Sequence, residues 1–126
     1  MFSREIFSIL IVDDDIYFTK LLGKMLIRQG YKVETVLSAD EAIKEISKKS
    51  YDILLLDIHM EGKDGIEAIP LIKKINPRIP IIIITADHSP FIEKRARREE
   101  IFYYLLKPFE FKELKEAIQS ALLRRK

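Results

Sequence analysis

The sequence contains no cysteine, no tryptophan and only two histidines, His59 and His88. Without cysteine there can be no disulfide scaffold, no thiolate metal site and no cysteine nucleophile. Two histidines are also too few for most metal sites that are built on imidazole ligands. The side chains left for chemistry are mainly carboxylates, hydroxyls and amines.

Long hydrophobic runs are missing as well. The runs 53–56 and 79–84 are short, and the second of them contains Pro80. A membrane span needs about 20 apolar residues, and the first residues lack the apolar stretch and cleavage site of a signal peptide. We therefore expect a soluble, cytoplasmic chain with no membrane partner.

Neither sign of charge is in excess, because 22 lysines and arginines stand against 20 acidic residues, which gives a net charge of +2. This balance does not indicate nucleic-acid binding. The length of 126 residues and the hydrophobic share of 48% suit one domain with one full core. We expect residues 1–126 to form that single domain.

Short aliphatic runs alternate with helical patterns along the chain. The predicted strands are 8–12, 33–37, 53–56, 81–84 and 102–106. Several lack polar alternation, which is typical of strands covered on both faces of a parallel sheet. Because a helical pattern follows each strand, the sequence predicts an α/β, doubly wound fold with helices on both faces.

Polar side chains follow four of the predicted strands, and in an open parallel sheet these strand ends form the ligand site. They are Asp13, Asp14 and Asp15 after the first strand, Asp57 after the third, Thr85 after the fourth and Lys107 after the fifth. Clustered carboxylates suit a hard cation such as Mg²⁺. The hydroxyl of Thr85 and the ammonium of Lys107 are suited to bind the oxygens of a transferring phosphoryl group. No cysteine, and no serine paired with a histidine at a strand end, competes as the nucleophile. A carboxylate is the remaining candidate, and aspartyl phosphate is a known covalent intermediate.

These residues, in this order and at this spacing, resemble the receiver domain of two-component response regulators. The resemblance covers residues 9–123 and rests on Ile11-Val12-Asp13-Asp14, Leu55-Leu56-Asp57, Asp64-Gly65, Thr85-Ala86, Tyr104 and Lys107-Pro108-Phe109. It implies a flavodoxin-like (βα)5 fold with a five-stranded sheet in the order 2-1-3-4-5. It also implies a cis peptide bond between Lys107 and Pro108.

The resemblance implies a role for each site residue. Asp57 is the phosphoacceptor, and Thr85 and Lys107 bind the phosphoryl oxygens. The ligands of Mg²⁺, or of Mn²⁺ as an alternative, are Asp13, Asp14, Asp57 and the backbone carbonyl of His59. Tyr104 is the switch aromatic, which moves inward when Thr85 is drawn to the phosphate.

The resemblance also implies partners. A sensor histidine kinase or a histidine phosphotransfer protein donates the phosphoryl group. The surface of helix 4, strand 5 and helix 5 then signals to an output that the sequence does not identify, and it could also pair two copies as a homodimer. The domain is not an enzyme beyond its own phosphorylation and dephosphorylation, and it binds no nucleic acid directly.

Two other interpretations stay open at the level of the sequence. Asp13 and Asp15 form an Asp-x-Asp motif, as in a haloacid-dehalogenase-like phosphatase. Against this, no acidic pair follows a fourth strand, no cap segment is present and Asp57 has no role. The other interpretation is an interaction module that works without phosphate, which the complete set of site residues disfavours.

Several positions depart from the family pattern or flank the site. Pro70 predicts that the third helix starts late or bends, and Glu61 stands where family members usually have proline. The fourth helix has only Ile92 and Ala96 as a clear apolar stripe, so we expect it to be weakly held. By the resemblance, His59 and Asp87 should face each other at the mouth of the site, where they close it, orient the hydrolytic water or stay solvated without effect.

Overall fold

The structure is a computed structural model that describes residues 5–59 and 64–124. Within these ranges the strands are β1 (Ser8–Val12), β2 (Lys32–Val36), β3 (Ile53–Leu56), β4 (Ile81–Thr85) and β5 (Tyr103–Leu106). The helices are α1 (Ile16–Arg28), α2 (Ala39–Lys48), α3 (Gly65–Ile75), α4 (Pro90–Arg97) and α5 (Phe111–Arg124). All neighbouring strands are parallel, in the order β2-β1-β3-β4-β5. The predicted fold class and strand order are confirmed.

Hydrophobic packing on both faces of the sheet explains why the central strands lack polar alternation. Side chains of β1 alternate between the faces, so that Leu10 and Val12 pack with α2 and α3 while Ile9 and Ile11 pack with α1 and α5. Every residue of β3 and β4 is buried. By contrast, β2 lies at the sheet margin and is only partly covered.

Polar caps fix where the helices begin, and they do so next to the carboxyl ends of the strands. The side chain of Asp15 accepts a hydrogen bond from the Phe18 amide at 3.0 Å, which starts α1 immediately after the acidic run. Asp64 caps α3 through the Ile66 amide at 2.8 Å. An N-cap oxygen satisfies an amide that has no partner within the helix, so each cap anchors a loop of the site.

The prediction of a late start for α3 is wrong, because the helix begins at Gly65 even though Pro70 lies within it. Pro70 has no amide hydrogen to donate to the carbonyl of Ile66. The Asp64 cap and the burial of Ile66 and Ile69 against the sheet offset that loss in the first turns. The predicted bend stays a prediction, and the prediction about Glu61 lies outside the described residues.

The fourth helix is short and thinly packed, as its sequence predicts. It spans eight residues, of which only Ala96 is fully buried, while Ile92 is partly buried against the core. An ion pair of 3.1 Å joins Arg95 to Asp64, the cap of α3, and a second of 2.8 Å joins Arg97 to Glu93 within the helix. Along the described parts of the chain, no helix is both long and apolar enough to cross a bilayer.

Candidate functional site

Three carboxylates meet at the carboxyl ends of β1 and β3. The two strands pair directly, with Val12 opposite Leu56, and the next amide, that of Asp57, donates to the Val12 carbonyl at 2.9 Å. One carboxylate oxygen from each of Asp13, Asp14 and Asp57 lies within 4.8 Å of the others. Asp13 and Asp57 are buried, whereas Asp14 is exposed. The strand pairing therefore forms the predicted acidic cluster.

Burial raises the pKa of Asp57 from its ordinary value of 3.8 to about 6. The negative charges of Asp13 and Asp14 also contribute to this raised pKa, while the hydrogen bond from the His59 amide and the positive charge of Lys107 oppose it. Three carboxylates grouped this closely fit a hard divalent cation such as Mg²⁺, which commonly binds carboxylates and keeps several waters.

Lys107 reaches into this cluster from the end of β5. Its ammonium nitrogen lies 2.9 Å from Oδ2 of Asp13 and 3.8 Å from Oδ2 of Asp57. The Lys107 amide donates to the carbonyl of Thr85 at 2.8 Å, and the Lys107–Pro108 peptide bond is cis, which confirms the prediction for it. The loop thus directs the side chain back toward the sheet.

Thr85 and Tyr104 lie on neighbouring strands on the other side of the cluster. Thr85 is fully buried, and its hydroxyl oxygen accepts a hydrogen bond from the Asp87 amide at 3.1 Å. Tyr104 is buried in the core beside α4, and no described residue is a hydrogen-bond partner of its hydroxyl. The guanidinium of Arg97 lies over its ring, 5.6 Å from the centroid. The ring is therefore largely shielded from solvent.

The side chains of His59 and Asp87 contact each other through Nε2 and Oδ2, as the sequence interpretation expects. The other carboxylate oxygen of Asp87 accepts a hydrogen bond from the Ser89 amide at 2.8 Å. That bond is the main cause of the lowered pKa of Asp87, and the contact with His59 is the second. The pair joins the loop after β3 to the loop after β4.

Gly65 is required by a close approach to the loop that carries Asp57. A Cβ atom at this position would lie 2.7 Å from the carbonyl oxygen of Asp57 and 2.8 Å from Cα of Ile58. The Gly65 amide donates to the Ile58 carbonyl at 3.1 Å, which fixes the approach. The sequence indicated Asp64-Gly65 only as a motif, and the physical reason for the glycine needs the fold.

Phe18 is a neighbour of the site that the sequence motifs do not indicate. The ammonium nitrogen of Lys107 lies 4.1 Å from the centroid of the Phe18 ring. No motif or helical spacing in the sequence indicates this contact, because it depends on how α1 packs against the loop after β5. Phe18 also forms the edge of an apolar cavity next to the acidic cluster.

This cavity has a volume of about 620 Å³ and lies between α1 and the loop after β5. Its lining is Phe18, Leu21, Leu22, Met25, Ala86, Lys107, Pro108, Phe109 and Phe111. It includes Lys107 and Ala86, the residue after Thr85, so a partner seated there would lie beside the acidic cluster. Leu21 is 62% exposed, which leaves apolar surface available for contact.

A family model described as the response regulator receiver domain matches residues 9–119. The chain belongs to this family. It is therefore a receiver domain of a two-component signalling system, and nothing in the comparisons supports the haloacid-dehalogenase-like alternative. The resemblance that was drawn from the sequence is confirmed.

Similar proteins include regulators and isolated receiver domains. The chain is 37% identical over 115 residues to the transcriptional regulatory protein ZraR of Salmonella typhimurium, covering 91% of this receiver domain but only 26% of ZraR. A CheY-like receiver domain protein from Methanospirillum hungatei has a TM-score of 0.92 at 26% identity, covering 96% of this chain and 97% of that one.

A third similar protein was solved with a metal and a beryllium fluoride. The response regulator TrrA of Thermotoga maritima, in complex with Mg²⁺ and BeF, has a TM-score of 0.83 at 32% identity. The match covers 93% of this receiver domain and all of the solved chain, 100%. The likeness extends over the whole fold that holds the acidic cluster.

Proposed function

We propose that Asp57 of this receiver domain accepts a phosphoryl group from a phosphohistidine on a sensor histidine kinase or phosphotransfer protein. The observation that carries the proposal is the position of Asp57, which is buried between two other carboxylates with the Lys107 ammonium 3.8 Å away. An isolated structural aspartate would not need two like charges beside it.

In the proposed transfer, a carboxylate oxygen of Asp57 attacks phosphorus and forms an oxygen–phosphorus bond. The phosphorus–nitrogen bond of the donor breaks, its electron pair stays on the imidazole, and that nitrogen regains a proton from solvent. Lys107 and the Thr85 hydroxyl stabilise charge on the transferring oxygens. Asp57 must be ionised to attack, and with a pKa of about 6 it is mostly ionised above that pH.

The residues that would hold Mg²⁺ are Asp13, Asp14, Asp57 and the backbone carbonyl of His59. When bound, the cation would supply positive charge to the phosphoryl oxygens and relieve the repulsion between the carboxylates. The oxygen-only donor set supports Mg²⁺ as the cofactor, and no observation favours Mn²⁺ over it.

Thr85 and Tyr104 form the proposed switch. Movement of the Thr85 hydroxyl toward a phosphoryl group would break its hydrogen bond with the Asp87 amide, which leads into α4. Tyr104 packs beneath the same helix. The surface of α4, β5 and α5 would then pass the signal to an output protein or domain, or to a second copy of the chain.

The phosphodonor is proposed to contact the apolar cavity beside α1. Leu21 and Ile27 allow a matched test, since both are exposed apolar residues of α1 but only Leu21 lines the cavity. With a histidine kinase that phosphorylates the wild-type chain as the probe, Leu21→Glu should slow transfer and Ile27→Glu should not. Equal effects of the two substitutions would contradict this docking site, provided that both variants still react with acetyl phosphate.

Residues 1–126 are proposed to form one receiver domain that acts on no metabolite. Because the chain covers only 26% of ZraR, the activities of that longer protein are not transferred to it. The direct test is incubation with acetyl phosphate and Mg²⁺, followed by separation of phosphorylated from unphosphorylated chains. We expect labelling of the wild type and of Asp15→Asn, and none of Asp57→Asn.

A further inference from the structure

The ammonium group of Lys107 contacts an aromatic ring as well as carboxylates. Its ammonium nitrogen lies 4.1 Å from the centroid of the Phe18 ring, well inside the range of about 6 Å for attraction between a cation and an aromatic face. The Lys107 side chain is only 20% exposed. Water therefore screens this attraction less than it would at an open surface.

The Phe18 ring is itself fixed from two sides. Its backbone belongs to the first turn of α1, where the Phe18 amide donates to the Asp15 cap. Its ring meets that of Phe109 edge to face, with centroids 6.3 Å apart and an interplanar angle of 83°. Phe109 follows Lys107 by two residues. The loop that carries Lys107 therefore also supports the Phe18 ring, which the Lys107 ammonium contacts.

The other close partner of the ammonium is Asp13, at 2.9 Å. In the proposed function Asp13 also faces Mg²⁺, and a carboxylate whose charge is compensated by a cation attracts an ammonium less strongly. The ring has no such competitor. Its attraction for the ammonium persists when the acidic cluster is neutralised, which is the state in which Lys107 must meet a phosphoryl group.

We propose that Phe18 is a positioning residue, whose aromatic face holds the Lys107 ammonium toward Asp57 during phosphoryl transfer. The inference rests on the proposed function and adds a residue to it. A lysine that is already directed at the developing charge needs less reorganisation when the reaction occurs. The effect depends on the electron density of the ring, whereas a packing role depends only on its shape.

The test replaces Phe18 with phenylalanines that carry one, two or three ring fluorines, which withdraw electrons from the ring face and change its shape little. The measurement is the second-order rate constant for labelling of Asp57 by acetyl phosphate at saturating Mg²⁺. We expect a stepwise fall of about three- to fivefold across the series. The same analogues at Phe7, which precedes β1 and so lies at the edge of the sheet opposite the acidic cluster, should leave the rate unchanged.

Two natural variants extend the test. Phe18→Tyr retains an aromatic face and should retain the rate, whereas Phe18→Leu retains only apolar bulk and should react like the trifluoro variant. A flat rate across the fluorinated series, or a Leu variant as fast as the wild type, would overturn the inference. Failure of the wild type itself to be labelled would count against the proposed function instead.

A second measurement addresses the contact without any phosphodonor. Protons on the Lys107 side-chain carbon next to the ammonium should be shifted upfield by the ring current of Phe18 in NMR spectra of the wild type. In Phe18→Leu they should move to the positions of the other lysines. If Lys107 already resonates with the other lysines in the wild type, the ring does not hold it and the inference is wrong.

Discussion

The ammonium nitrogen of Lys107 lies 3.8 Å from Oδ2 of Asp57, beyond hydrogen-bonding distance. Lys107 instead contacts Asp13 at 2.9 Å. The charge of Asp57 is thus only partly compensated, and burial raises its pKa to about 6. We therefore expect the charge of Asp57 to destabilise the metal-free fold.

We predict that Asp57→Asn stabilises the metal-free protein at pH 7.5. The pKa of Asp57 rises from 3.8 to about 6 on folding, so the folded state binds more protons and stability falls as pH rises through that window. Removing the charge should add about 2–3 kcal/mol at pH 7.5 and much less near pH 4.

Urea unfolding in the presence of a chelator measures this difference. Glu116→Gln, which removes an exposed carboxylate of α5, is the control for the loss of one negative charge and should change the stability by less than about 0.5 kcal/mol. A gain in Asp57→Asn that is the same at pH 4 and pH 7.5, or a loss of stability at pH 7.5, contradicts the prediction.

We predict that Mg²⁺ stabilises the wild type by binding the acidic cluster. At a free concentration of 100 times its dissociation constant, the gain is about 2.7 kcal/mol. Asp14→Asn should lose most of the gain because it removes a ligand charge. Asp15→Asn should keep it, since Asp15 caps α1 and asparagine is an equally good cap. Thermal unfolding with and without Mg²⁺ provides the comparison, and an equal loss in both variants would count against the ligand set.

We predict that the contact between His59 and Asp87 affects how long Asp57 stays phosphorylated. If the pair closes the mouth of the site, Asp87→Ala should shorten the lifetime of phosphorylated Asp57 by about two- to fivefold. Decay after removal of the phosphodonor measures it. A longer lifetime would show that Asp87 assists the attacking water instead.

A second substitution distinguishes the effect of the contact between His59 and Asp87 from the effect of the hydrogen bond between Asp87 and the Ser89 amide. In a His59→Ala background, Asp87→Ala should have little further effect on the lifetime if the contact between the two side chains is what matters. A full effect in that background would assign it to the Ser89 bond at the start of α4.

We predict that α4 is the least protected of the five helices in hydrogen exchange. Only Ala96 of this helix is fully buried, whereas α5 buries Leu114, Ala117, Ile118 and Ala121. Amides of α4 should exchange at least about tenfold faster than those of α5. Addition of Mg²⁺ with beryllofluoride should change the protection of α4, and uniform protection that this mimic leaves unaltered would contradict a switching role.

The fold could be predicted because local pattern and tertiary packing agree at nearly every element. The residue after each of β1 and β3 is acidic, and strand pairing then brings Asp13 and Asp57 together without further information. Thr85 and Lys107 follow from the same rule. The start of α3 could not be predicted, since the cost of Pro70 is local whereas the burial that offsets it depends on the sheet.

Contacts between loops were the hardest to predict. The position of the Phe18 ring over Lys107 depends on the angle between α1 and the loop after β5, and hydrophobic spacing does not encode that angle. The need for glycine at position 65 depends on a backbone approach within 3 Å of Asp57 and Ile58. The sequence therefore predicted which strand ends form the site, but not what holds their side chains in place.

The most direct test of the central claim is to locate the phosphoryl group on the chain. Borohydride reduces an aspartyl phosphate to homoserine, which marks the modified position for peptide mass spectrometry. After reaction with acetyl phosphate and Mg²⁺, we predict homoserine at position 57 of the wild type and at no other aspartate. Homoserine at position 13 or 15, or an unmodified Asp57 in a labelled protein, would contradict the assignment of Asp57 as the phosphoacceptor.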